Sequence, residues 1–314
     1  MLLTLIDGHA ILHRAYHAFP PLTNKTGTPT NAVYGFMVML LQVLDNLQPD
    51  YLAMAFDLPQ PTFRSQQYTA YQARRPEMEG NLSDQIPLVH ELLDELKIAY
   101  FEVGGFEADD IIGTLASQVQ SLKFKVQTVI VTGDRDMLQL VNENTQVCFP
   151  VKGLSQTKIY DEKLMVEEFG VTPSQWVDVK ALKGDSSDNY PGVRGIGPKT
   201  AERLIGEFGD LENLYKNLGK VEPKVAKKLA EGAEDAGMGK KLARIVTDVP
   251  VHLDLEKVAV NKIDWQSGTD YMREKLGFRT IVEKIQKSKI KSQNFSSKVK
   301  IEEQKNGGEQ MKLI

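Results

Sequence analysis

Two short apolar runs, LLTLI (2–6) and YLAMAF (51–56), each end on a carboxylate, Asp7 and Asp57. A strand that is apolar at every position, and not only at alternate ones, has both faces covered, so these runs predict a sheet packed between helical layers. Between them Val33, Phe36, Met37, Leu40, Leu41, Leu44 and Leu47 recur at three and four residues, which predicts a largely buried helix capped by Thr30 or Asn31. IAYFEV (98–103) and VQTVIVT (126–132) read as further strands. They are separated by a helix with Ala108, Ile111, Ile112, Leu115, Ala116, Val119 and Leu122 on one face. This alternation specifies an α/β fold, a central and mostly parallel sheet flanked by helices, over residues 1–160. Beyond about residue 160 the strand pattern gives way to short helices punctuated by glycine, notably from Gly184 to Gly209, so a helical region is expected over 161–284. No internal repeat is visible.

The chain has 314 residues, 41% of them hydrophobic and 25% charged, which excludes disorder of the whole chain. Its net charge of −4 excludes a uniformly basic shell that binds polyanions by charge alone. Residues 285–314 hold seven Lys and three Glu among few apolar residues and read as a basic, disordered tail, which leaves the body before them acidic. The single cysteine, Cys148, excludes an intramolecular disulfide framework and a cysteine-based zinc site, suits a reducing compartment, and reads as a small buried hydrophobe. No apolar run reaches membrane-spanning length and no basic leader precedes LLTLI, so a soluble protein of the cytoplasm is expected.

Nine acids occupy the places where α/β folds build sites. Asp7 and Asp57 end strands, Glu107, Asp109 and Asp110 open a helix, Asp134 and Asp136 follow VQTVIVT, and Asp185 and Asp188 lie in GDSSDN at the start of the helical region. Singly, Asp109 and Asp110 also suit a helix N-terminus and Asp134 a turn. Ordinary solvation does not explain why four separate strand-end or helix-start segments each deliver acids. Converging carboxylates raise one another's pKa unless a cation neutralises them, and an all-oxygen donor set points to magnesium or manganese rather than zinc. Two such ions activate a water and stabilise the leaving oxygen of a phosphodiester.

PGVRGIGPKTAERLI (191–205) sets Gly192, Gly195 and Gly197 before Lys199 and Thr200 at a helix start. This is a helix-hairpin-helix pattern: glycines admit a phosphate to the backbone, amides and the helix N-terminus bind it, and Lys199 adds charge without reading bases. The competing structural reading is a tight interhelical turn. GVRGIG lacks the preceding strand and later acid of a dinucleotide site.

LIDGHAILHRAYHA, AVYGF, FEADD, TGDRD and LKGDSSDNYPGVRGIGPKTA together resemble the 5′ nuclease domain of bacterial DNA polymerase I, within the flap endonuclease family, in family order over roughly residues 1–280. The resemblance implies a sheet-based catalytic domain, a helical arch at about residues 60–85, and a helix-hairpin-helix domain (184–209 within 161–284) that grips duplex DNA through backbone contacts and K+. It implies two metal groups, Asp7, Asp57, Glu107, Asp109 and Asp110 for the first, and Asp134, Asp136, Asp185 and Asp188 for the second. In the arch stretch, Arg64, Arg74 and Arg75 intersperse with Tyr68 and Tyr71, a mixture that suits a threaded single strand. The family pattern is commonly Tyr-Lys-Ala-x-Arg, whereas here Gln72 stands at the lysine position, which implies reduced turnover or compensation by Arg74. Tyr34 resembles the family aromatic that stacks on a base beside the cleaved bond, although an aromatic in such a helix also serves as core. Arg14 either touches a phosphate or braces the sheet with an acid. His9, His13 and His17 share a helical face but lack an adjacent acid in a metalloprotease pattern, so packing and rim contacts are expected of them.

The implied activity is magnesium- or manganese-dependent 5′-3′ exonuclease and flap endonuclease hydrolysis of DNA near junctions of a 5′ single strand with duplex. The setting is repair and replication at the nucleoid, with nicked or flapped DNA, RNA primer strands and a DNA polymerase as partners. Two alternatives are a non-catalytic DNA-junction binding module, against which the acids argue, and an RNA-cutting nuclease of small α/β type, which leaves the glycine hairpin unexplained.

Overall fold

The computed structural model describes residues 1–73, 78–122, 124–152 and 156–287. The first elements are β1 (Leu2–Asp7), α1 (Gly8–Ala18), α2 (Asn31–Leu47), β2 (Tyr51–Ala55), α3 (Phe63–Gln67), α4 (Gly80–Ser83), α5 (Ile86–Leu96), β3 (Tyr100–Phe101), α6 (Ala108–Gln120) and β4 (Gln127–Val131). A 3₁₀ helix (Arg135–Leu140), β5 (Thr145–Lys152) and β6 (Gln156–Tyr160) complete the sheet region. The strand order is β3-β2-β1-β4-β5-β6, parallel throughout except for antiparallel β6. In register, Leu5 lies between Ala53 of β2 and Ile130 of β4. The apolar runs are buried as expected, because each face of the sheet carries a core. On one face Phe36, Leu40, Leu92 and Leu93 pack from α2 and α5, and on the other Ile111, Ile112 and Leu115 pack from α6.

Sequence patterning did not reveal β5 and β6. Gln156–Tyr160 is an edge strand with mostly exposed side chains and carries no apolar run. The cap of α2 also differs from expectation. Thr30 makes no side-chain bond to the helix; instead Oε1 of Gln85, a fully buried residue just before α5, accepts from the amides of Ala32 (2.8 Å) and Val33 (3.3 Å). The orphan donors of one helix are thus satisfied from another.

The helical region comprises α7 (Glu162–Phe169), α8 (Trp176–Lys183), the two-residue ladder β7 (Gly184–Asp185) with β8 (Tyr190–Pro191), α9 (Pro198–Phe208), α10 (Leu211–Lys216), α11 (Pro223–Glu231), α12 (Ala233–Ala243) and α13 (Trp265–Tyr271). It shares the α6-side core through Leu182, Leu204 and Ile205, and Trp176 Nε1 donates to the Arg135 carbonyl at 2.8 Å. The chain then returns to the sheet. Leu52 N donates to Val258 O (2.8 Å), α13 packs on α5, and Phe278, Ile281, Val282 and Ile285 enter the α2-side core. The first residue of the expected tail, Ile285, is therefore a core residue within a helical stretch that runs to residue 287; residues 288–314 lie outside the described residues.

The β7–β8 ladder presses Gly192 against the backbone of Gly184, Lys183 and Leu182, leaving no volume for a Cβ, while a Cβ on Gly197 meets no atom within 4 Å. Gly192→Ala is expected to cost about 3 kcal/mol through overpacking against rigid main chain. Gly197→Ala is expected to cost less than about 1 kcal/mol. Urea denaturation of the two variants checks this, and equal losses would contradict the packing described.

Candidate active site

The winding of the sheet reverses between β1 and β4, the position at which open α/β sheets bind ligands beyond their carboxyl ends. Asp7 ends β1 and caps α1, with Oδ1 accepting from Ala10 N (3.0 Å) and Oδ2 from Thr132 Oγ1 (2.8 Å). Burial, with added repulsion from Asp57 and Asp134, pushes its pKa up to about 7. Asp57, just beyond β2, accepts from Ala108 N (2.7 Å), and its own amide donates to His9 Nδ1 (3.0 Å), which makes that nitrogen an acceptor and His9 an orienting group. Asp109 in the first turn of α6 is held well above the carboxylate range, first by burial and then by Asp134, Asp7, Asp57 and Glu107. These mutual repulsions are what convergence at one place looks like.

Asp110 stands apart from this group. It is fully buried and receives a two-pronged ion pair from Arg64, Nη1 to Oδ2 at 2.7 Å and Nη2 to Oδ1 at 2.8 Å, together with the amides of Glu107 and Val246. Arg64 also binds Glu107 Oε2 (3.2 Å) and the carbonyls of Leu242 (2.9 Å) and Arg244 (2.7 Å). With 2% of its surface exposed, Arg64 is a strut and not a contact for a threaded strand, which corrects the sequence expectation. The guanidinium fork suits this task because it satisfies two carboxylates and two carbonyls at once. Asp110, its four acceptor directions occupied, positions α6 and is not an open ligand. Glu107 keeps its place through Tyr71 OH (3.2 Å) and Thr62 Oγ1 (3.3 Å), and burial pushes its pKa up to about 7 despite Arg64.

The second group gathers around the 3₁₀ helix after β4. Asp134 caps that helix by accepting from Asp136 N (2.7 Å), and carboxylate oxygens of Asp136, Asp185 and Asp188 lie within 4.8 Å of one another. Asp185 is fixed by Ser187 N (2.7 Å) and Asp188 by Gln72 Nε2 (3.0 Å). Lys180 of α8, which sequence reading passed over, pairs with both Asp136 and Asp185. Its signal was present: a lysine within the apolar run WVDVKALK, five residues before an acid. Burial pushes Asp136 up to about 7, Lys180 holds Asp185 below the usual range against its burial, and burial raises Asp188. Asp136 Oδ1 is buried against the Lys180 ammonium. A cluster of carboxylate oxygens with no Cys and no His fits a hard divalent cation.

Gln72 adopts a left-handed backbone (φ 54°), held by its amide donating to Asp188 O (2.8 Å), and Asn189, also left-handed, donates to Ala70 O (2.6 Å). Arg74 and Arg75 lie outside the described residues; in the expected arch only the short α3 and α4 are helical among those described. Tyr34 is half-buried, edge-on to Phe19 and Phe278. Arg14 donates to the Val151 carbonyl (2.9 Å) and so braces β5 without an acid. Lys199 is exposed and paired with Glu202 (2.7 Å), Thr200 lies in the first turn of α9, and Gly195 takes a left-handed φ of 80° with its carbonyl accepting from Lys228. His13 and His17 meet at 3.3 Å on the exposed face of α1.

Asp7, Glu107 and Asp136 titrate near 7 when folded and near 4 when unfolded, so between these values the folded chain holds protons that the unfolded chain has released. In EDTA the protein is expected to lose a few kcal/mol of stability as pH rises from about 4.5 to about 7.5. Melting curves across that range check the sign; stability that climbs with pH would refute it.

Residues 2–170 match the family described as "5′-3′ exonuclease, N-terminal resolvase-like domain", and residues 171–266 match its "C-terminal SAM fold". The chain is 39% identical over 293 residues to DNA polymerase I of Caldicellulosiruptor bescii, covering 92% of this chain and 34% of that protein. It is 38% identical over 291 residues to DNA polymerase I of Bacillus subtilis, covering 90% and 32%. It thus spans about a third of the length of these polymerases. In fold it resembles phage T5 5′-exonuclease, solved with zinc ions bound, at a TM-score of 0.64 and 19% identity over 93% of this chain and 99% of that one. Both parts of the family pattern occur in order across the sheet region and the glycine hairpin, and the chain belongs to the 5′-3′ exonuclease family.

Proposed function

We propose that this chain hydrolyses DNA phosphodiester bonds near junctions of a 5′ single strand with duplex, acting as a 5′-3′ exonuclease and flap endonuclease. The observation that carries this reading is the convergence of acids from β1, β2, α6, the 3₁₀ helix and the β7–β8 loop at one sheet edge, where they repel one another. Asp7, Asp57, Glu107 and Asp109 form one group and Asp134, Asp136, Asp185 and Asp188 the other, with Asp110 acting through Arg64 and α6. Two divalent ions, Mg2+ or Mn2+, held there supply an activated water and stabilisation of the leaving oxygen.

The protein's own part is placement. Gly192, Gly195, Gly197, Lys199 and Thr200 offer amides and charge to a duplex phosphate without reading bases, with K+ as the counter-ion expected at the hairpin. Tyr34, half-exposed, suits stacking on a terminal base, and Arg14, Arg74 and Arg75 are the cations this reading gives to the strand. Gln72 contributes a neutral amide to Asp188, so the strand-side cation that lysine gives at this position in the family is missing. The substrates are nicked or 5′-flapped DNA and RNA primer strands in duplex, in repair and replication in the cytoplasm beside the nucleoid, with a polymerase in the same or another chain. Among the described residues no helix is long and apolar enough to cross a membrane.

Cleavage of a labelled 5′-flap duplex tests the reading. Cutting at the junction is expected with Mg2+, none with EDTA, and a loss of about 100-fold or more in Asp188→Asn, the scale of removing one preorganised electrostatic group. Tight flap binding without cutting in any divalent ion would instead favour the binding module. Gln72→Lys is expected to raise single-turnover cleavage severalfold, and a variant no faster than the parent would remove Gln72 from the account.

A further inference from the structure

Lys180 is 3% exposed, yet it carries an ammonium to the centre of the second acid group. It bridges Oδ1 of Asp136 and Oδ2 of Asp185, two members of the cluster whose oxygens lie within 4.8 Å of one another. Burying a lone ammonium is strongly unfavourable, and here only the carboxylates compensate it.

We propose that Lys180 is the resident counter-cation of the second acid group, holding in the DNA-free protein the charge position that a divalent ion takes, so that the ion and the ammonium compete for Asp136 and Asp185. This rests on the metal-dependent nuclease reading above. Two effects of Lys180 on metal binding oppose each other, and the structure decides between them. A positive charge beside the site repels an incoming dication; a positive charge also gathers acids that would otherwise spread apart. The gathering does not depend on Lys180 alone, because the chain around each acid has another anchor. The Asp136 main chain is fixed at the 3₁₀ start by its amide donating to Asp134 Oδ1, the Asp185 carboxylate accepts from the Ser187 amide, and the Asp188 carboxylate accepts from Gln72. Repulsion is therefore the effect that remains, and Lys180 weakens ion binding at the second group until an anionic partner draws the ammonium away. A DNA phosphate is such a partner, which makes filling of the second group follow substrate binding.

The test is Mn2+ titration of the full chain without DNA, followed by the EPR signal of free Mn2+, for the parent, Lys180→Met and Lys180→Arg. The expected parent binds one ion at least tenfold more weakly than the other. Lys180→Met tightens the weak site at least tenfold, melts lower than the parent in EDTA at pH 8, and gains more melting temperature from Mn2+; Lys180→Arg keeps the parent pattern. An unchanged or weakened second site in Lys180→Met, with the parent still binding Mn2+, overturns the role of Lys180 alone. Absence of Mn2+ binding in every chain overturns the metal-dependent reading with it. Should the Met variant not fold, the parent still decides: the side-chain ammonium resonance of Lys180, protected when buried, is expected to vanish in step with the second Mg2+ and not the first. Its persistence at saturating Mg2+ overturns the proposal.

Discussion

Like charges gathered at one edge of a sheet must be held there against their own repulsion, and much of this structure is arranged to do so. Two buried cations act on the two sides of the cluster. Arg64 joins α3 to Asp110 and Glu107 of the α6 start and to the carbonyls of Leu242 and Arg244, so one side chain ties together segments far apart in sequence. Lys180 ties α8 to the 3₁₀ helix and to the β7–β8 ladder. Removing a partner from a buried ion pair of this kind typically costs about 3–5 kcal/mol, because the charge left behind stays desolvated. Burial first, and after it the repulsion left among these acids, keeps the pKa values of Asp7, Glu107, Asp109 and Asp136 raised.

The sheet was legible because its strands carry apolar residues on both faces, and β1, β2 and β4 lie close to where the runs LLTLI, YLAMAF and VQTVIVT predict them. The edge strand β6 was not, since an exposed strand needs no apolar run. Seven of the acids were marked by their positions after strands or at helix starts, and Asp185 and Asp188 by the pair in GDSSDN. What could not be read was which carboxylate is saturated. Asp109 and Asp110 are neighbours of the same type, and only the helical phase turns one toward the other acids and the other under Arg64. Arg64 itself was placed with the arch cations because it sits in a basic, tyrosine-rich stretch; its buried partner is 46 residues away.

Satisfaction at a distance recurs elsewhere. The expected cap of α2 was local, yet the acceptor comes from Gln85, whose own amide nitrogen donates to Asn31 (3.1 Å) and to the Asn81 carbonyl (2.7 Å). A glutamine that serves several buried groups at once fixes α2 against the start of α5, which a threonine cap does not do. The return of residues 258–285 to the α2-side core has the same character, since no local pattern in Phe278, Ile281, Val282 and Ile285 says which element they will meet. The expected division near residue 160 marks a change of secondary structure, while packing continues across it in both directions.

The β7–β8 ladder carries one further consequence. Gly184 and Asp185 form one rung set with Tyr190 and Pro191, and Gly192 follows immediately, pressed against the main chain at the ladder's start. Asp185 and the glycine turn therefore belong to one short, laddered stretch of backbone. On the proposed reading, the interval between the point where duplex is gripped and the point where a bond is broken is set by the covalent length of that single short loop.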